Sequence, residues 1–107
     1  MMSRIKKKEI LADLKVTRTK RQLYQANLLL KMIDLEIKKI DLHIIFLRRK
    51  KPFCFQKKKM ITYLDSYNEL QGKREYFCFL LDEQNHFIDS LKNIFKDLTG
   101  FDYVDDV

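Results

Sequence analysis

Residues 28–47 read LLLKMIDLEIKKIDLHIIFL, and this stretch decides the fold. Thirteen of its twenty residues are apolar, but Lys31, Asp34, Glu36, Lys38, Lys39 and Asp41 are spread through it. That many charges exclude a membrane span. They suit a helix that is apolar along a stripe. The stripe through Leu30, Ile33, Ile37, Ile40, Ile44 and Leu47 repeats at alternating steps of three and four, the spacing of a heptad seam. Followed backwards, the same spacing passes Ala26, Leu23, Thr19, Val16, Ala12 and Glu9 and reaches Ile5. Eleven of these thirteen positions are apolar, and no Gly or Pro interrupts residues 1–51. The pattern predicts one helix over 4–50, about 70 Å long if unbroken. Its weak point is Val16-Thr17-Arg18-Thr19, where three β-branched residues fall within four and Thr19-x-x-Gln22 fits a capping box, so a kink or restart is expected at 16–19.

Pro52 closes this helix, and residues 51–56 read as a turn. A second seam follows through Tyr63, Tyr67, Leu70, Arg74, Phe77, Leu81, Gln84, Ile88, Leu91, Phe95 and Leu98, predicting a helix over 57–98. Gly72 weakens it by roughly 1 kcal/mol relative to Ala and marks a possible break at 71–73. Leu98-Thr99-Gly100-Phe101 reads as a terminating glycine followed by an apolar residue that folds back on the last turn. Residues 102–107, DYVDDV, form an acidic tail. Two arms of similar length joined by a short turn make an all-α, antiparallel, coiled-coil-like hairpin in a single helical domain.

The first helix carries a second row, Leu28, Met32, Leu35, Leu42 and Phe46, with Lys39 its only polar member. It lies roughly opposite the first seam. A helix apolar on two faces has to be covered on two sides, and one arm from the same chain covers only one. The expectation is a homodimer, in which two hairpins make a bundle.

Composition bounds the rest. At 107 residues, 46% hydrophobic and 35% charged, the chain has room for one domain and is too apolar to be wholly disordered. Gly 2 and Pro 1 argue against sandwiches, barrels, Gly-rich phosphate loops and loop-built active sites. The start, MMSRIKKKEI, has a basic head with no apolar run behind it and does not match a secretory signal. Cys54 and Cys78 do not make a disulfide framework and read as reduced, cytoplasmic thiols. The abundance of Lys and Ile matches an AT-rich genome, such as that of a phage or mobile element.

Charge is divided along the chain. Residues 1–59 hold 18 Lys/Arg against 5 Asp/Glu, a balance of +13, and residues 60–107 hold 4 against 10, a balance of −6, giving the net +7. The surplus is densest in Arg48, Arg49, Lys50, Lys51, Lys57, Lys58 and Lys59, with Phe53 and Phe55 between them. Arg4, Lys6, Lys7 and Lys8 form a second cluster. Lys57 to Lys59 and Arg4 to Lys8 fall at expected helix starts, where positive charge opposes the macrodipole, and local rules are broken mostly at functional sites. Free N–H groups with lysines around them suit phosphate, and Phe53 and Phe55 suit stacking on unpaired bases. The plainer reading is a solvated basic turn whose two Phe cap the bundle end. An anionic membrane surface is a weaker match.

Other constellations carry less. Residues 12–30 lack the tight turn and short recognition helix of a helix-turn-helix. Glu83-x-x-His86 has the spacing of a di-iron bundle but lies off the seam, and His43 sits on a seam flank as a packing or pH-sensitive residue. Cys54 lies beside Lys51 and Lys57, but no histidine is near it in sequence to act as a base. No catalytic residue, metal ligand or cofactor is assigned. The expected function is a small non-enzymatic regulator whose basic surface engages nucleic acid or a nucleoprotein complex. The alternative is a phage- or plasmid-type adaptor or inhibitor that lays an apolar helix face into a protein groove.

Overall fold

The computed structural model describes residues 4–104, with side chains from Lys7 onward. Two helices, α1 (Arg4–Arg49) and α2 (Lys57–Thr99), form a hairpin, and the described residues contain no strand. No helix among them is long and apolar enough to cross a membrane. By compactness the chain divides into two units. One takes the chain up to Leu30 together with the chain from Gln84 on, and the other is Lys31–Glu83.

The helical backbone runs on through 16–19. Thr19 is buried, and its hydroxyl donates to the Lys15 carbonyl at 2.9 Å, as the Thr17 hydroxyl does to Asp13. A β-branched residue with a hydroxyl is tolerated inside a helix when that hydroxyl bonds back to the preceding turn. The Thr19–Gln22 capping box therefore does not form: the Thr19 hydroxyl serves a carbonyl behind it rather than an amide ahead. Gly72 likewise sits within continuous helix, with nothing within 4 Å of where a Cβ would stand, so no close approach of a neighbour demands glycine there.

α1 stops at Arg49, before the residue preceding Pro52, whose ring disfavours helical backbone at Lys51. Lys50 and Lys51 amides close the helix onto the Leu47 and Arg48 carbonyls. The turn is then held by Gln56. Its side-chain carbonyl accepts from the Phe53 amide at 3.2 Å, its own amide donates to the Phe53 carbonyl at 2.9 Å, and its carbonyl receives the Met60 amide that opens α2. α2 ends on Gly100, whose φ of 75° is the left-handed conformation glycine adopts without a Cβ penalty. The Gly100 amide reaches the Lys96 carbonyl at 2.7 Å, an αL cap.

Phe101 does not fold back on the last turn; it is exposed. Tyr103 takes that place, with its ring edge-to-face on Phe95 at 5.4 Å. Asp102 pairs with Lys96, so the described part of the acidic tail is anchored, while residues 105–107 lie outside what is described.

In the unit that contains the chain ends, Leu23, Ala26, Ile88, Leu91 and Phe95 form a buried cluster with Val16, Leu30 and Tyr103 packed on it. Gln84 donates its side-chain N–H to the Ala26 main-chain carbonyl at 3.0 Å. The small Ala26 lets the amide come that close. In the unit that contains the turn, α1 buries Ile33, Ile37, Ile40 and Ile44, whereas Tyr63, Tyr67, Leu70, Phe77 and Leu81 of α2 are only half-buried. Polar clamps link the arms there: Arg74 Nε donates to Asp41 Oδ1 at 2.7 Å, and Arg48 to the Tyr67 hydroxyl at 3.0 Å. These pairs run in opposite directions along the two helices, which makes the arms antiparallel.

Candidate functional site

The predicted basic cluster is brought together by the turn. Arg48 and Arg49 occupy the last turn of α1, where cations complement the helix dipole. Lys57, Lys58 and Lys59 occupy the first turn of α2, where they oppose it, and no acidic residue offsets them. Lys50 and Lys51 lie between, and all seven are exposed. Among the described residues none of the five lysines forms an ion pair or side-chain hydrogen bond. The arrangement is a set of solvated cations held within one short connection, with no internal counter-charge.

The two arginines are committed differently. Arg48 donates to the Tyr67 hydroxyl and also lies over the Tyr67 ring, 5.7 Å from its centroid. Gln71 donates to the same hydroxyl at 3.0 Å, so the Tyr67 oxygen accepts twice. Both bonds stabilise a phenolate, Arg48 most, and they pull the Tyr67 pKa below the ordinary tyrosine value, while the same contact raises that of Arg48. Arg49 stands over the Phe46 ring at 5.9 Å. Beside Arg48 an open hollow of ≈ 560 Å³ is lined by Arg48, Lys51, Met60, Tyr63, Leu64 and Tyr67.

Phe53 and Phe55 stack on each other, rings 5.5 Å apart and 3° from parallel, and are 69% and 76% exposed. They do not cap the apolar seam. Each ring uses one face on the other and leaves the second to solvent. Cys54, between them, is exposed and unbridged. At the other predicted cluster, Lys7 and Lys8 are exposed, and the side chains of Arg4 and Lys6 lie outside what is described.

The Tyr67–Arg48–Gln71 node is the feature that sequence reasoning missed. Tyr67 is legible only as a seam residue, because which cation it meets depends on how the arms are set against each other. Glu83, His86 and His43 are exposed. Among the described residues no three His, Cys, Asp or Glu side chains gather closely enough to hold a metal. No protein-family model matches this chain, and no curated protein or solved structure shows significant similarity to it.

Proposed function

We propose that this is a small, non-enzymatic binding protein whose basic hairpin turn engages nucleic acid or a nucleoprotein complex through phosphates. The observation that carries the reading is the group of five exposed lysines, Lys50, Lys51 and Lys57–Lys59, without an acidic partner around one short turn. Cations placed against a helix dipole with nothing to offset them cost stability, and a polyanion removes that cost. Arg48 and Arg49 are held by Tyr67 and Phe46, so the lysines are the freer phosphate contacts. Phe53 and Phe55 offer open ring faces for unpaired bases. Lys7 and Lys8, with Arg4 and Lys6, would supply a second patch. A cytoplasmic setting fits this reading, since two unbridged thiols stay reduced there.

Fluorescence anisotropy of labelled duplex DNA, single-stranded DNA and structured RNA, from roughly 50 to 300 mM salt, tests the reading. Binding weakens steeply with salt, with little sequence preference. Replacing the five lysines by Gln flattens the salt dependence by about 0.9 in log–log slope for each duplex phosphate no longer neutralised. Substituting both Phe by Ala weakens single-strand binding selectively. An unchanged slope in the lysine variant refutes the site, and no binding at the lowest salt refutes the function.

The rival is a protein-binding adaptor, which draws on Tyr76 and Phe79 of α2, both 59% exposed. Exposed aromatics of this size suit a protein groove. Such binding tolerates salt and falls when Tyr76 and Phe79 are truncated.

A further inference from the structure

The hollow of ≈ 560 Å³ beside Arg48 is lined wholly from the unit that contains the turn. Its size falls within the range of about 300–1,000 Å³ common to ligand sites. Met60, Tyr63, Leu64 and Tyr67 share one face of α2 by their helical spacing, and Arg48 and Lys51 meet them from the end of α1 and the turn. One side of the hollow is thus apolar and aromatic, and the other is cationic. No acidic side chain lines it. A second hollow, of ≈ 490 Å³, already holds its own counter-charge, because Asp41 and Arg74 both line it and pair at 2.7 Å.

The polar groups of the first hollow are donors in excess of acceptors. A phenol has two lone pairs and one O–H. Arg48 and Gln71 occupy both lone pairs of the Tyr67 oxygen, so its own hydrogen can only be donated. Among the described residues no acceptor takes it. Arg48 uses one N–H on that bond, out of the five a guanidinium carries, and Lys51 forms no ion pair. The Tyr67 contact also fixes Arg48 in advance, which lowers the entropy lost when it binds. Cations and hydroxyl donors around one space call for an oxyanion. Tyr63, Met60 and Leu64 beside them call for a flat, apolar group attached to that anion.

We propose that this hollow seats one nucleotide of a single strand, with a phosphate on Arg48, Lys51 and the Tyr67 hydroxyl and the attached base against Tyr63, Met60 and Leu64. Phosphate matches the donors, and an unpaired base can lie on an aromatic side chain, which a base inside a duplex cannot. The inference rests on the nucleic-acid reading of the turn and adds to it a strand type and a seat. Tyr63 and Tyr67, seam residues in that reading, become binding residues.

Fluorescence anisotropy of a labelled thymidine oligomer and of a labelled duplex, each titrated with the full chain at roughly 50 mM salt, tests it. Tyr67→Phe removes the O–H donor and no charge. Single-strand affinity should fall about tenfold with its salt slope unchanged, while duplex affinity stays within about twofold. Leu64→Glu puts a carboxylate into the hollow at an exposed position. Ile61→Glu, exposed on the same helix but outside the hollow, is the charge-matched control. Leu64→Glu should weaken single-strand binding about fivefold more than Ile61→Glu does, with the helical circular dichroism of both intact. Single-strand affinity unchanged in Tyr67→Phe, equal losses for the two strand types or for the two Glu variants, or binding of the duplex alone overturns the seat while the lysine contacts stand. Failure of the unaltered chain to bind either strand overturns both.

Discussion

The two units of the hairpin are built from the same heptad pattern and hold together differently. In the unit with the chain ends, both arms bury side chains: Leu23 and Ala26 from α1 meet Ile88, Leu91 and Phe95 from α2. In the unit with the turn, α1 buries four isoleucines, but α2 answers with half-buried tyrosines, Leu70 and Phe77, and the arms are tied by Arg74–Asp41 and Arg48–Tyr67. Apolar burial grows with area removed from water, whereas exposed ion pairs contribute little. The unit with the chain ends is thus organised for stability. The other devotes its seam to Tyr and Arg and places the solvated lysines at its tip.

The largest effect that sharpens this contrast is truncation of the core. Leu23 is fully buried, so Leu23→Ala should destabilise by about 3 kcal/mol or more, whereas Leu70→Ala in the half-buried seam should cost about 1–2 kcal/mol. Urea unfolding at one fixed protein concentration measures both, and equal losses would erase the distinction. A smaller effect is expected at Gln84. Removing its bond to the Ala26 carbonyl with Gln84→Ala should cost about 1 kcal/mol in the same assay, and no change would mean the bond carries no net stability.

The smallest effect concerns Tyr67 and is visible only at high pH. Its pKa in the folded chain lies below the unfolded value, so the charged form is the one the fold favours. The resulting stabilisation is fully present above the unfolded value of about 10 and is lost as pH falls through the depressed folded value. In an ultraviolet absorbance titration, Tyr67→Phe should remove a step that lies below the ordinary tyrosine value, and Arg48→Gln should move that step upward. A titration unaltered by either change would sever the Arg48–Tyr67 link.

Much of the fold is legible in the residues. From Val16 to Leu47 every member of the predicted α1 seam is buried or half-buried, and the α2 seam holds from Tyr63 to Phe95. Towards the start of α1 the pattern outruns its cover: Glu9 and Ala12 are exposed. The continuity of the helix at 16–19 was hidden because Thr there serves equally as a cap or as a back-bonded interior residue, and only the direction of its hydroxyl distinguishes the two. At the C-terminal cap the glycine was readable but the ring that packs was not. Phe101 and Tyr103 have similar apolar bulk, and the path of the chain after Gly100 selects Tyr103.

Periodicity, the scarcity of Gly and Pro, and one central proline determined by themselves that this chain makes two long helices, where they turn, and that its cations cluster at that turn. Those properties depend on neighbours a few residues away, and local spacing encodes them. The clamps between the arms, the donation from Gln84 to Ala26 and the double acceptance by Tyr67 were decided by tertiary structure alone. Each joins residues from 4 to 58 positions apart. The bonds between arms exist only once apolar burial has set one helix against the other, since a shift of one turn would hand every one of those polar groups a different partner.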